Sequence, residues 1–107
     1  MHTSSGILRA VAMILRLSKK EYYALCKQVF VRDEYKCRSC GFRAGLHCHH
    51  VVFRSQQGED TTGNLLVLCS QCHEAVHRSD LHIVYVETAR ESDGMVQFIR
   101  RNGWRPQ

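Results

Sequence analysis

No stretch of this chain is apolar for long enough to cross a bilayer. The nearest approach, Ile7 to Leu17, is interrupted by Arg9 and again by Arg16, and a span needs about 20 apolar residues. That run follows no basic segment and ends in no A-x-A-like cleavage site, so a secretory signal is not visible. The expectation is a cytoplasmic protein without a membrane partner. Acidic residues are also in short supply, 10 Asp and Glu against 15 Lys and Arg, for a formal net charge of +5. A basic balance favours a polyanionic partner but does not separate DNA from RNA or from an acidic membrane surface. With 107 residues the chain has room for one domain and a small core, which a covalent or metal staple would help.

What the chain has in excess for its size is cysteine. Four of its six cysteines form two C-x-x-C pairs, Cys37-Arg-Ser-Cys40 and Cys69-Ser-Gln-Cys72. In a reducing compartment such thiols point to metal rather than to disulfides. Each pair presents two thiolates from one turn, and two pairs can close a tetrahedron around a single zinc ion. A redox C-x-x-C expects one pair in a βαβ setting, and no parallel-strand pattern is present. The remaining thiols read as packing groups, Cys26 on an apolar helix stripe and Cys48 on the reverse face of a strand.

Apart from the cysteine pairs nothing repeats. Residues 1–17 read as an extension, and Ile7–Leu17 suits either a helix or a strand. Ser18 then opens a helix: Ser18-Lys19-Lys20-Glu21 has the spacing of a capping box. Tyr22, Leu25, Cys26, Val29 and Phe30 follow as one apolar stripe. Cys37–Gly41 reads as a zinc knuckle, Leu46–Val52 as a strand, and residues 53–63 as a polar loop. Asn64–Cys69 reads as an apolar second strand and Gln71–Arg78 as a helix. Ile83–Thr88 and Met95–Arg100 flank Ser92-Asp93-Gly94, as a closing hairpin would.

A histidine constellation is threaded through these elements. His49 and His50 end the first strand, Asn64 begins the second, and His73 and His77 stand four apart on the helix, where both rings share one face. Pairing of the two strands would bring Asn64 near the His-His step. Adjacent residues of a regular strand point to opposite faces, so His49 and His50 can serve one site only where the strand ends or twists. His2, His47 and His82 read as ordinary surface or core histidines, and Glu74 as a solvated carboxylate.

The motifs "YKCRSCG", "HCHHVVFRSQQGEDTTGNLLVLC" and "CSQCHEAVH", together spanning Tyr35 to His77, resemble the zinc-containing branch of the HNH endonucleases. The resemblance implies an α+β domain over residues 18–107, with motif core 35–78. In it a ββα-metal centre is stapled by zinc on Cys37, Cys40, Cys69 and Cys72, with an N-terminal helix and a C-terminal β-hairpin. It implies hydrolysis of DNA phosphodiester bonds with one divalent ion, Mg2+, Mn2+, Ni2+ or Zn2+. His50 would be the general base, His49, His73 and His77 the ligands of that ion, and Asn64 the residue that holds loop and base in place, with direct metal contact as its second possibility. Two positions depart from the family's usual pattern. His49 stands where Asp is frequent, which favours metals that accept imidazole, and Phe53 stands where Pro is frequent.

Arg54 and Arg78 lie beside these motifs, and Arg32, Arg38 and Arg43 surround the knuckle, where cations could grip phosphates. Double-stranded DNA is the expected partner. A monomer would nick one strand, and a homodimer could cut both. In the tail, Trp104 is expected to pack on the domain's own core. Two other readings remain: a zinc module that binds nucleic acid without chemistry, and a zinc-centred protein-interaction adaptor. Neither gives the histidines a purpose.

Overall fold

The computed structural model describes residues 16–85 and 96–107. Most of the Ile7–Leu17 run, and the Ser92-Asp93-Gly94 turn, lie outside the described residues. Helix α1 (Lys19–Arg32) starts as its sequence predicts: the Glu21 amide donates to Ser18 Oγ at 3.2 Å, and the Ser18 amide donates to Glu21 Oε1 at 3.0 Å. It ends at Asp33. Strands β1 (Leu46–His50) and β2 (Leu65–Cys69) pair antiparallel, with Leu46 opposite Cys69 and His50 opposite Leu65. Helix α2 (Ser70–His77) follows β2 directly. Strands β3 (Leu81–Tyr85) and β4 (Val96–Arg100) form a second antiparallel pair. The result is a small α+β domain with a ββα centre. Among the described residues, no helix is long and apolar enough to cross a membrane.

The two-stranded sheet is covered on both faces. Leu65 and Val67 of β2 pack with Val29 of α1, joined by Tyr22, Leu25, Phe30 and Cys48. Leu66 and Leu68 point the other way and pack with Cys72 and Ala75 of α2 and Leu81 of β3. This explains why β2 reads as an unbroken apolar run rather than an alternation. All of Leu65, Leu66, Val67 and Leu68 are removed from solvent, each stabilising the fold by about 1.5–3 kcal/mol. Trp104 packs against the α2-side cluster, as its sequence setting suggested.

Strand β1 alternates between the same two helices. His47 and His49 turn towards α2, where both rings meet His73. Cys48 and His50 turn towards α1, Cys48 joining the Val29 cluster and His50 stacking on Tyr22. The sequence pattern carried this strand to Val52, but the strand ends at His50, and the last bond between the two sides of the ladder runs from the Val51 amide to the Asn64 carbonyl at 2.8 Å. The reason is Asn64. Its side chain accepts from the Val52 amide at 2.8 Å and donates to the Val52 carbonyl at 3.0 Å. One amide side chain thus satisfies both backbone groups that a further ladder rung would have used. Asn64 itself closes a short 3-10 turn (Thr62–Asn64), so β2 begins one residue later than the sequence suggested.

One buried carboxylate ties α1 to the sheet. Asp33 accepts from the Val67 amide at 3.0 Å, from Arg32 Nε at 2.8 Å and from Arg38 Nη1 at 3.1 Å. Arg32 also donates to the carbonyls of Thr62 and Leu65. Arg32 and Arg38 therefore hold the fold together, whereas their positions around the knuckle had suggested phosphate contacts.

Candidate functional site

Two groups of potential metal ligands lie at opposite ends of β1 and β2. The first is sulfur. Cys37 and Cys40 come from the knuckle, Cys69 from the last position of β2, and Cys72 from the first turn of α2. Their thiol sulfurs all lie within 4.8 Å of one another. The knuckle turn closes through Gly41, whose φ of +83° suits glycine and whose amide donates to the Cys37 carbonyl at 2.8 Å. Burial pushes the Cys37 thiol up, but backbone amides of Cys69, Cys40 and Ser39 directed at it bring its net pKa below the usual thiol value. Amides aimed at sulfur are what a thiolate ligand needs. Four thiols so placed have the number, donor type and spacing for one structural zinc.

The second group is nitrogen. His49 arrives from β1, and His73 and His77 from one face of α2. Their ligand nitrogens also lie within 4.8 Å of one another. The His49 ring meets His73 edge-on at 5.2 Å and His77 at 6.0 Å between centroids. His49 is buried, and its Nε2 has no hydrogen-bond partner. A buried ring nitrogen without a partner costs about 1–3 kcal/mol, which a bound cation would offset. Burial, followed by the neighbouring His73, His77 and His50, holds the His49 pKa down to about 3. Burial and His77 lower His73 too. Both rings are therefore neutral near pH 7, as ligation requires. Phe53 closes one side of the cluster, stacked on His77 at 4.9 Å and edge-on to His49.

His50 is not part of that triad. Its ring belongs to the other face of β1, yet because the strand ends there it lines the same cleft of about 250 Å³ as His49, Phe53, Arg54, His73 and His77. Its Nε2 lies 2.9 Å from Oδ1 of Asp60. Asn64 sits behind the cleft. Besides Val52 it donates to the Glu59 carbonyl at 3.0 Å, and it accepts from the Tyr85 hydroxyl at 3.1 Å. Its side chain is thus engaged by the loop backbone at Val52 and Glu59 and by the Tyr85 hydroxyl.

Arg54 borders the cleft and directs Nε and Nη2 at the Asp60 carboxylate, at 3.0 and 2.7 Å. Arg78 is engaged with Glu74 at 3.4 Å and with Asp80 at 3.1 Å. Arg43 remains at the surface and reaches the Glu34 carbonyl. His47 is exposed, bonded to Ser70 Oγ at 3.1 Å and stacked on His73. His82 is exposed as well. Cys26 is buried on α1, and the Cys48 thiol meets it and Tyr22 across the α1 face.

The residue that sequence reasoning missed is Asp60. It is buried, although it lies in a polar loop. Burial alone would raise its pKa, but Arg54, the Leu17 amide and His50 more than compensate and hold it at about 2. The contact with Leu17, at 3.0 Å, also ties the chain before α1 to this loop.

A strand pair followed by a helix, with one sulfur and one nitrogen donor cluster, defines a ββα-metal type of site. The comparison with known families agrees: the HNH endonuclease model matches residues 37–79, a range that holds both cysteine pairs and every residue from His49 to His77. The chain belongs to the HNH endonuclease family. Among curated relatives, it is 31% identical over 58 residues to Anaredoxin of Nostoc sp. (strain PCC 7120), covering 53% of this chain and 76% of that protein. It is 38% identical over 52 residues to the type IV methyl-directed restriction enzyme EcoKMcrA of Escherichia coli (strain K12), covering 40% of this chain but only 19% of the enzyme. The chain thus spans about a fifth of that enzyme. No solved structure gives a significant match.

Proposed function

We propose that this chain is a metal-dependent DNA endonuclease that hydrolyses phosphodiester bonds, nicking one strand per encounter as a monomer. One observation carries the reading above the others. The buried His49 has a partnerless Nε2, and a nitrogen of its ring lies within 4.8 Å of one from each of two helical imidazoles, in a cleft that His50 also lines. A non-catalytic zinc module needs the four cysteines but has no use for this second, nitrogen-only cluster.

In this reading His49, His73 and His77 hold a divalent cation. Neutral imidazoles suit Mn2+, Ni2+ or Zn2+ better than Mg2+. Such an ion, when bound, supplies Lewis-acid stabilisation of charge on the scissile phosphate and the departing 3′ oxygen. His50 accepts a proton from the attacking water, a role for which imidazole is suited near neutral pH. Asn64 fixes the loop that carries the cleft wall. Arg54 and Arg78, each partly exposed despite its carboxylate partner, are the cations nearest to where phosphates would run. Double-stranded DNA is the substrate proposed, and a double-strand break would take two copies. A reducing cytoplasm, where the four thiols stay available to zinc, is the compartment that fits.

The test is relaxation of supercoiled plasmid by the zinc-loaded chain with Mn2+, Ni2+, Mg2+ or additional Zn2+. Nicking is expected, with His50→Ala slower by about 10²-fold or more while retaining its structural zinc. No cleavage by the zinc-loaded protein under any of these ions would remove the nuclease reading. A gel shift with the same plasmid would then show whether the domain binds DNA at all.

A further inference from the structure

His50 is enclosed by Tyr22, Arg54 and Asp60, of which the reading above uses only Arg54. Its ring lies parallel to that of Tyr22, with centroids 5.7 Å apart and planes inclined by 8°. The Arg54 guanidinium covers Tyr22 in turn, with Cζ 4.8 Å from the ring centroid. Arg54 then grips Asp60 through two nitrogens, and Asp60 meets His50 Nε2 at 2.9 Å. Four side chains, from α1, the end of β1 and the loop beyond it, close a ring. Asp60, at 1% exposure, is sealed inside.

We propose that Asp60 is a positioning residue for the His50 base, fixing its imidazole in the tautomer protonated at Nε2 and leaving the Nδ1 lone pair to take the proton from water. The proposal rests on the nuclease reading. A carboxylate has no proton to donate, so the hydrogen shared between the two groups belongs to Nε2. A neutral imidazole carries one N–H only, which makes Nδ1 the acceptor. Asp60 can stay ionised while buried because Arg54 pairs with it in a two-point contact and the Leu17 amide caps Oδ2. Arg54 thus acts first on Asp60, and on phosphate only through what remains exposed. The parallel Tyr22 ring restricts the rotation that would swing Nε2 off its acceptor.

In the reaction a water O–H bond breaks as Nδ1–H forms. The oxygen's electron pair goes to phosphorus, and the P–O3′ pair leaves on the 3′ oxygen, which takes its proton from solvent. The imidazolium that results has its positive charge beside the Asp60 carboxylate, so the same contact that sets the tautomer also stabilises the product of proton transfer.

The test uses the zinc-loaded full chain and has two arms. The first is the 15N signature of His50 at about pH 8.5, well above the ordinary imidazole pKa of about 6.5. The wild-type protein should show protonated Nε2 and bare Nδ1. Asp60→Asn, nearly isosteric but able to present either an acceptor or a donor, should lose that preference. The second arm is cleavage, where Asp60→Asn should lower kcat by about 10²-fold with KM within about twofold. Protonated Nδ1 in the wild-type chain overturns the proposal, and this arm needs no variant to fold. Undiminished kcat in a folded Asp60→Asn chain overturns it as well. A wild-type chain with protonated Nε2 that cuts no DNA overturns the nuclease reading and the base role with it. A chain that cuts DNA with Nδ1 protonated overturns this proposal alone.

Discussion

Consider the three-histidine cluster with no second cation added, carried from pH 7 to pH 5. In the unfolded chain His49 titrates near 6.5, whereas in the folded domain burial and its imidazole neighbours hold it at about 3. Between those values the unfolded state binds a proton that the folded state refuses, so stability falls as pH falls. Above pH 6.5 the contribution is fully present, and it is lost progressively towards pH 3. At pH 5 the unfolded His49 is almost wholly protonated and the folded one almost wholly neutral, which amounts to about 2 kcal/mol. That figure barely depends on whether the folded value is 3 or 4, because either lies well below pH 5. The assay is urea unfolding of the zinc-loaded wild-type chain and of His49→Asn at both pH values. Loss of zinc–thiolate affinity with acid is common to both proteins and cancels in the difference, as does the similarly lowered His73 to first order. The wild-type chain should lose about 2 kcal/mol more than the variant. Equal losses would show that His49 is not desolvated among imidazoles, and the case for a nitrogen metal site would go with it.

Two further outcomes are expected. Cys72→Ser, or chelation of the wild-type protein, should remove the structural zinc, measured as metal per chain, and abolish the cooperative thermal transition. A structural zinc contributes on the order of 10–16 kcal/mol, comparable to the whole stability of a domain, so a native-like transition in the chelated chain would contradict the zinc assignment. Asp33→Ala should lower the urea-derived stability by about 3–5 kcal/mol, because it strips partners from two arginines and from the buried Val67 amide. A loss under about 1 kcal/mol would mean that this carboxylate is solvated and the pairing incidental.

The features readable in the sequence were those with a period or a fixed spacing. The C-x-x-C pairs, the α1 stripe and the i, i+4 histidines of α2 each have a rule that links position to geometry, and each is found in the structure. Even the difficulty of adjacent His49 and His50 could be stated in advance. The two rings do leave β1 on opposite faces, and they share a cleft because the strand ends between one rung and the next. What the sequence concealed were contacts set by tertiary distance. Val51 and Val52 look like strand, and only the capture of Val52 by the Asn64 side chain stops the ladder. Asp60 looks like a solvated loop carboxylate, with no periodicity to mark it as buried. Arginines that look free for phosphate are committed elsewhere: Arg32 spans from Asp33 to the Leu65 carbonyl, 33 residues away. Charge counts locate a partner's sign, but they do not tell which cations the fold has already used.

The sulfur and nitrogen clusters are mechanically one device. Cys69 and Cys72 bracket the start of α2, and His73 and His77 follow on the same two turns. This helix has no side-chain cap at its N-terminus, and at eight residues it is too short to be stable by itself. Its first turn is instead held by thiols at Cys69 and Cys72, cross-braced to the knuckle through Cys37 and Cys40. With zinc bound to these four cysteines, the direction in which the two helical imidazoles project would therefore depend on the staple, although none of the four belongs to the nitrogen cluster. The opposite wall depends on a different anchor, the Asn64 clamp that ends β1 and the Asp60 contact that holds His50. In the proposed nuclease a soft four-sulfur site would set one half of the cleft and a hydrogen-bonded loop the other, so an ion held by His49, His73 and His77 could exchange without the fold being lost. On that proposal a permanent metal would be separated from a replaceable one, which would let so small a domain stay folded without the ion proposed for catalysis.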